Sequence, residues 1–180
     1  MTRFEPLTRD QMNDEQGRIY DQIEARGGRL GGPYTALIRI PRMAKLQQEM
    51  GDYLRDNSLS GRERQLAVLR TVRHWGANYA WAVQERASLG VGLEQDVIDA
   101  INQGETPELD TDAERAIHLV AGELLAGHGL SDETYAQALE ALGLERLTDV
   151  IATVGFYSLV SCTLNGFDIS PPEDAPARLL

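Results

Sequence analysis

The residues best suited to chemistry lie between Gly61 and Gly90, where the sequence is GRERQLAVLRTVRHWGANYAWAVQERASLG. His74 is the one histidine of this stretch, and it is a candidate general acid or base because an imidazole titrates near neutral pH. Arg62 and Arg73 could bind a substrate carboxylate through two parallel N–H donors. Each has a structural alternative. A histidine at the end of a helix is favoured by the helix dipole, and arginines on a helix face pair with acidic side chains.

The sequence predicts neither a metal site nor a bound cofactor. Its one cysteine, Cys162, excludes an internal disulfide and dithiol chemistry within one chain, and its apolar neighbours predict a buried, inert thiol. His118 and His128 are ten residues apart, which is not the spacing of two ligands on one helix face. The sequence also lacks an HExxH pattern, a Cys/His cluster and a phosphate-binding glycine loop.

Charge and length limit the possible partners. A formal net charge of -11 over 180 residues argues against nucleic acid, which needs clustered Lys and Arg, and against anionic membranes. It still permits a small acidic substrate, because a local group of arginines can dominate the field. We find no apolar run of membrane-spanning length and no signal-peptide core, and therefore expect a cytoplasmic protein. The length predicts one domain over residues 1–180, with extended tails at 1–7 and 170–180.

Helical signals frame the central stretch. Ser60 and Glu63 have the spacing of a capping box. An apolar stripe follows at helical spacing, made of Leu66, Val68, Leu69 and Val72. Gly76 should end this helix, so we predict a helical hairpin of Ser60–Trp75 and Asn78–Leu89.

The rest of the chain also has helical periodicity without sustained strand alternation, so the predicted fold class is all-α. Further start and stop signals are the pairs Thr8/Gln11 and Thr111/Glu114, the cap Ser131, the first-turn Pro41 and the terminal Gly90. The last helix, from about Glu145 to Asn165, is apolar around more of its circumference than one packing face requires. We therefore expect this surface to be buried between subunits.

The central stretch resembles the motif of the carboxymuconolactone decarboxylase and alkylhydroperoxidase D superfamily. There a helix opening R-E-R-E-L leads to W-G-x-x-Y-E-W-x-x-H, and the peroxidase branch has C-x-x-C-x-x-x-H. The matching residues here are Arg62, Glu63, Arg64, Leu66, Trp75, Gly76, Tyr79 and Trp81. GGPYTALIRIPRMA and LVSCTLNGFDISPP resemble the family's G-P-x-x-x-L-x-x-x-P and T-L-N-A-F-D-V-P-x-P segments, in the same order. The resemblance implies a carboxymuconolactone decarboxylase-like all-α domain with a central helical hairpin, assembled as a trimer or hexamer.

The resemblance also places the family's reactive positions, where this chain has other residues. The two cysteines fall on Ala77 and Ala80, so thiol peroxidase activity is excluded. The glutamate and histidine fall on Gln65 and Gln84, which form hydrogen bonds but cannot exchange a proton near neutral pH. We interpret them as a neutral pair that lines a shared site. Glu85 should point about 100° away from this site, toward the surface.

Aromatic residues of the motif complete the candidate site. Tyr79 and Trp81 could close a pocket or stack on a ring-shaped ligand, and the alternative is a place in the core or a subunit interface. The candidate catalytic residues are His74, Gln84 and Tyr79. The candidate substrate-binding residues are Gln65, Trp81, Asn78 and Arg73.

Two functions of different classes stay open. The first is a cofactor-free lyase or isomerase that acts on a small carboxylated or lactone-like metabolite, with His74 moving the proton. The second is a non-catalytic helical oligomer that binds a small molecule or a protein partner. The missing glutamate and histidine favour the second. A polar pocket reached by His74 or by an arginine would support the first.

Overall fold

The computed structural model describes residues 2–25, 31–171 and 179, and these residues contain helices and loops but no strand. The helices are α1 (Asp14–Ala25), α2 (Tyr34–Leu37), α3 (Pro41–Arg55), α4 (Gly61–His74), α5 (Asn78–Gly90), α6 (Gln95–Gln103), α7 (Asp112–Gly127) and α8 (Asp132–Gly166). The predicted all-α fold class is confirmed. Most of the predicted C-terminal tail lies outside the described residues, as do residues 26–30 of the predicted glycine loop.

The predicted hairpin is formed by α4 and α5. The Ser60 hydroxyl accepts from the backbone N–H of Glu63 at 3.2 Å, and the Glu63 carboxylate accepts from the backbone N–H of Ser60 at 2.9 Å. Gly76 has a φ of 58°, a left-handed conformation that turns the chain out of α4. The turn is fixed to α8, since Nδ2 of Asn165 donates to the carbonyl oxygen of Trp75 at 2.7 Å.

Two helix ends differ from the sequence prediction. Thr8 and Gln11 do form a capping box, but it opens only a three-residue 3-10 turn. The helix α1 begins later because the side chain of Asn13 accepts from the backbone N–H groups of its first turn. At the end of α5, Gly90 is still helical, and Gly92 is the residue with positive φ, at 83°.

The long helix α8 consists of two helical segments joined at Gly143. Its φ of 72° and ψ of 169° are non-helical and suit a residue without a side chain. The first segment is capped by the predicted Ser131, whose hydroxyl accepts from the backbone N–H of Thr134 at 3.2 Å. The second segment, 144–166, corresponds to the predicted last helix.

By length and composition α8 could cross a membrane, contrary to the expectation that no segment approaches that length. Its mean hydropathy reaches 1.5 over an 18-residue window. The core helix of a soluble protein passes the same test, and α8 packs against α3, α4, α5 and α7 of this chain. These contacts bury 44% of that window inside the protein and account for that part of its apolar composition.

The helix α4 is central to the main core, since α5, α6, α7 and α8 all pack against it. Its predicted stripe is fully buried, namely Leu66, Val68, Leu69 and Val72. A smaller cluster packs Ile19 and Ile23 of α1 against Ile38, just after α2, and Ala44 of α3.

Apolar side chains of α8 are also left uncovered within this chain. Ile151 and Leu159 are 42% and 44% exposed, while Ser161 and Leu164 occupy the buried face nearby. Cys162 lies off that face and is exposed, which corrects the prediction of a buried thiol. This uncovered apolar area is the basis of the expected self-association, which stays a prediction.

Asp149 on α8 forms hydrogen bonds with the last turn of α3 and with the loop between α3 and α4. Its buried carboxylate accepts from the Tyr53 hydroxyl at 2.6 Å, and from the Ser58 N–H and hydroxyl at 3.0 and 2.5 Å. We expect Asp149→Ala to lower the free energy of unfolding by about 2–4 kcal/mol, since hydrogen bonds to a charged group contribute about 1.5–3 kcal/mol each and are not additive. Urea denaturation at pH 7, followed by circular dichroism, measures the loss.

A matched control and a pH series sharpen this test. Tyr53→Phe removes one of the three bonds and should cost about 1–2 kcal/mol. Burial alone would raise the pKa of Asp149, but the hydrogen bonds from Ser58 and Tyr53 lower it below its ordinary value. The stabilisation is therefore present above the ordinary carboxyl pKa of about 3.9 and is lost as the pH falls through the lower folded value. Equal stability of Asp149→Ala and the natural protein at pH 7 would contradict this role.

Candidate functional site

A cavity of about 440 Å³ lies among α3, α4, α5 and α8, and we call it the glutamine cavity. Most of its wall is aliphatic or aromatic and includes Leu54, Val83, Val91, Phe156, Val160 and Leu164. Its polar side chains are Gln47, Gln65, Gln84, Tyr34, Tyr79, Tyr157, Arg55 and Arg64. A largely apolar wall with a few polar groups is typical of a small-molecule site.

Gln65 of α4 and Gln84 of α5 meet at this cavity. Nε2 of Gln65 donates to Oε1 of Gln84 at 3.2 Å. The Ser88 hydroxyl, which donates to the backbone carbonyl of Gln84 at 2.7 Å, lies 3.3 Å from Oε1 of Gln65. Gln65 is only 6% exposed, so the pair is a fixed, neutral element of the wall.

Tyr157 of α8 is a titratable hydroxyl beside this pair. Burial raises the pKa of Tyr157, and the charges of Arg64 and Arg55 and a hydrogen bond with Gln84 partly oppose the shift. Because Oε1 of Gln84 already accepts from Gln65, the amide NH2 of Gln84 is the group that donates to the Tyr157 oxygen. The hydroxyl of Tyr157 therefore carries its proton at neutral pH and can donate it to an acceptor in the cavity.

Two more groups of the wall suit a ligand. Gln47 is 5% exposed, and its Oε1 has no hydrogen-bond partner among the described residues. A buried acceptor without a donor is costly, so an N–H or O–H of a ligand would satisfy it. Arg64 brings a positive charge, and it is held in place by the carbonyl oxygens of Leu54 and Arg55 at 3.3 and 3.2 Å.

Tyr79 lines the glutamine cavity, and its ring lies close to the backbone of Gly32. A Cβ at Gly32 would lie 2.9 Å from Cε1 of Tyr79, and φ there is +55°, so the approach requires glycine. Ala80 also lines the cavity, whereas Ala77 is fully buried and is not among its described lining residues.

Two of the predicted site residues lie at the far end of α4. His74 is exposed and its ring packs edge-on against Trp75, with centroids 5.8 Å apart. Nine residues separate it from Gln65, which is a rise of about 13 Å along the helix. Arg73 donates from Nε to the carbonyl oxygen of Asn102 at 2.5 Å and so ties α4 to α6. Neither residue lines the glutamine cavity.

The remaining two predicted site residues, Trp81 and Asn78, also lie outside the glutamine cavity. Trp81 is fully buried in the main core, and Asn78 is exposed and accepts from the backbone N–H of Leu179 at 3.3 Å. The structure therefore brings Gln65, Gln84 and Tyr79 of the predicted set together at one cavity. It leaves His74, Arg73, Trp81 and Asn78 outside that cavity.

Two charged residues of the hairpin, Arg62 and Glu85, do not line the glutamine cavity. Arg62 donates to Glu114 at 2.5 Å and to Glu94 at 2.6 Å, so it forms ion pairs within the fold. Glu85 is 7% exposed, which corrects the prediction of a surface residue, because α6 packs against this part of α5. Burial, with a contribution from the charge of Asp99, raises the pKa of Glu85.

Sequence reasoning did not identify Tyr157 or Gln47 as site residues. They belong to α8 and α3, and no local spacing relates them to the hairpin. The one available signal was a tyrosine within a strongly apolar helix, since a buried tyrosine hydroxyl usually has a polar partner.

No protein-family model matches the sequence, and no curated protein matches it significantly. Solved structures do share its fold. A peroxidase-related protein from Ralstonia eutropha JMP134, described as an alkylhydroperoxidase AhpD core, superposes with a TM-score of 0.80 at 17% identity, over 96% of this chain and 93% of that one. A peroxidase-related protein from Silicibacter sp. TM1040 gives 0.81 at 14% identity, over 99% and 96%.

A third similar structure is the debrominase Bmp8, with a TM-score of 0.76 at 13% identity, over 93% of this chain and 91% of that one. A variant of the same debrominase has been solved in complex with 2,3,4-tribromopyrrole. Together these likenesses show that the chain has the AhpD-like helical fold over nearly its whole length. The fold implied by the sequence resemblance is thus confirmed, while identities this low transfer no reaction.

Proposed function

We propose that this protein binds a small ring-shaped metabolite in the glutamine cavity and acts on it as a cofactor-free lyase or isomerase. The observation that carries the proposal is the position of Tyr157 in the cavity wall, next to the Gln65–Gln84 amide pair and the charge of Arg64. The similarly folded debrominase in complex with a substituted pyrrole supports a flat ring as the ligand.

The lining residues of the glutamine cavity favour a ring-shaped ligand that carries a carboxylate or a lactone. Arg64 gives the cavity a local positive charge that attracts an anionic group, although the protein as a whole is acidic, while Arg55 is paired with Asp52. None of the described lining residues is an aspartate or glutamate, so no side chain there repels such a group. The unpaired Oε1 of Gln47 can accept from a ring hydroxyl.

These groups support a reaction without a cofactor. When a carboxylate leaves as CO2 from a carbon conjugated to a lactone carbonyl, one C–C bond breaks and its electron pair moves to the carbonyl oxygen. Tyr157 donates a hydrogen bond to that oxygen, and the charge of Arg64 stabilises the enolate. The enolate then takes up a proton at carbon, which Tyr157 supplies and solvent replaces. Tyr157 thereby takes the proton-moving role that the sequence suggested for His74.

A non-catalytic binding protein is the second candidate, and one observation favours it. The described lining of the glutamine cavity contains no histidine, aspartate or glutamate, so no group that titrates near neutral pH can accept or return a proton. This candidate predicts ligand binding in the cavity without turnover.

A thermal-shift screen of lactones and aromatic carboxylic acids tests the proposal, because a ligand of the folded state raises the melting temperature. Each hit is then incubated with the protein, and NMR follows substrate loss and product formation. We expect at least one hit that is both bound and turned over. Gln84→Leu, which removes the amide pair at similar size, should abolish both effects.

The control variant is Gln103→Leu, the same change at an exposed position of α6. It should leave binding and turnover unchanged. Hits that depend on Gln84 but are not converted would establish the second candidate. A screen in which no hit depends on Gln84 would refute both.

A further inference from the structure

A second cavity, of about 830 Å³, lies between α4, α7 and the loop at residues 104–111. It shares no lining residue with the glutamine cavity. Its described lining includes Arg70, Arg115, His118, Leu109 and Leu119. None of these residues takes part in the function proposed above.

Arg70 is a half-buried cation without a partner among the described residues. Its Nε is shielded from solvent and has no hydrogen-bond partner, and no ion pair links Arg70 to a described carboxylate. The chain has 28 Asp and Glu residues, so acidic partners are not scarce, and Arg115 in the same cavity is paired with Asp112 at 2.7 Å. An unpaired cation in such a chain suggests that its anion comes from outside the fold.

The backbone of α7 leaves room for this guanidinium. A Cβ at Gly122 would lie 3.3 Å from a terminal guanidinium nitrogen of Arg70, closer than most Cβ contacts. A larger residue at this helical position would therefore push the guanidinium out of its place. Glycine costs helix stability, so its presence in the middle of α7 is consistent with a requirement for that space.

His118 is the second polar group of this cavity without a partner. It is 9% exposed, and its Nδ1 has no hydrogen-bond partner among the described residues. Burial, and then the charge of Arg70, lowers the pKa of His118 to about 4, so the ring is neutral at pH 7. We place the proton of the neutral His118 ring on Nε2, because Nδ1 then buries a lone pair and not an unpaired N–H donor. Nε2–H is then available to donate to a ligand.

We propose that Arg70 and His118 bind the carboxylate of a small organic acid whose apolar body lies along Leu109 and Leu119. The flat guanidinium matches a carboxylate with two parallel N–H donors, and the neutral imidazole adds a third. Leu109, Leu119 and the buried Pro107 provide the apolar surface. The site is separate from the glutamine cavity and from any reaction there.

The charges of the wall select a carboxylate over a phosphate. Glu108, Asp110 and Glu123 also line the cavity, so a dianion would be repelled by three carboxylates. The charge of Arg115 is neutralised by Asp112, which leaves Arg70 as the one described lining cation that lacks an ion pair. The single unpaired cation matches a ligand with one negative charge rather than two, carried on an apolar body.

Isothermal titration calorimetry at pH 7 with phenylacetate and hexanoate as probes tests the proposal. Benzyl alcohol and inorganic phosphate are the comparison ligands. We expect saturable binding of at least one acid, and none of either comparison ligand. Arg70→Gln should weaken the binding by about ten- to a hundredfold, because it removes charged hydrogen bonds. The NMR ring signals of His118, assigned with His118→Gln among the three histidines, should shift on addition of the acid.

Two controls make each outcome decisive. Gln84→Leu should leave the Arg70-dependent binding unchanged, which separates this site from the glutamine cavity. Light scattering of Arg70→Gln should match the natural protein, because a change in assembly would mean that Arg70 meets a carboxylate of a second copy instead. The proposal is overturned by such a change, by equal binding of phosphate, by the absence of saturable binding, or by binding that Arg70→Gln does not weaken.

Discussion

Replacing Tyr157 with phenylalanine should lower kcat on the cavity's substrate by about two to four orders of magnitude, the usual contribution of a positioned acid or base. KM should change little, because the ring and the apolar wall stay in place. The reason is geometric: the Tyr157 hydroxyl accepts from Gln84 and keeps its own hydrogen for the substrate. Steady-state kinetics on the hit from the ligand screen measures both constants.

The control for Tyr157→Phe is Tyr135→Phe, the same change at an exposed tyrosine of α8. It should leave kcat unchanged. Because burial raises the pKa of Tyr157, the hydroxyl stays protonated and kcat should not fall through its ionisation between about pH 6 and 9. A Tyr157→Phe variant with kcat within tenfold of the natural protein would remove Tyr157 from the mechanism.

The hairpin was predictable because its signals are local. The capping box of Ser60 and Glu63 depends on a spacing of three residues, and Gly76 has a conformation that glycine adopts readily. The pairing of Gln65 with Gln84 followed from the resemblance, and it needs only that the two helices lie side by side. No distant part of the chain is required for either prediction.

Two residues lie elsewhere than the sequence suggested, one because of its position along the helix axis and one because a neighbouring helix buries it. His74 is on the same helix as Gln65, yet a rise of about 13 Å takes it out of reach, which periodicity does not reveal. Glu85 does point away from Gln84, but α6 covers the direction in which it points. Tyr157 could not be found because α8 is apolar on most sides, so its sequence does not tell which side faces the cavity.

Introducing the family's four reactive residues should give the protein a thiol-dependent hydroperoxide reductase activity, which we do not expect of the natural chain because it has alanines at the two cysteine positions. The changes are Gln65→Glu, Ala77→Cys, Ala80→Cys and Gln84→His. Ala77 caps α5 and Ala80 lies in its first turn, where the helix N-terminus lowers a thiol pKa. The 3.2 Å contact between Gln65 and Gln84 would place the new carboxylate and imidazole within proton-transfer distance.

The reaction of this variant balances with a dithiol reductant. One thiolate attacks the O–O bond to give an alcohol and a sulfenic acid, and the second thiol displaces water to form a disulfide. Two added sulfurs in a buried turn should cost about 1–3 kcal/mol of stability, so the fold is checked by circular dichroism. Consumption of cumene hydroperoxide with dithiothreitol measures the activity.

The control carries Gln65→Glu and Gln84→His without the cysteines, and Cys162→Ser is included in every variant because the natural thiol is exposed. This control should reduce no hydroperoxide. If the four-residue variant stays folded while its new thiols remain reduced under mild oxidant, Ala77 and Ala80 do not occupy the family's cysteine positions. The shared placement of Gln65 and Gln84 at the reactive positions would then be wrong as well, since one alignment gives all four.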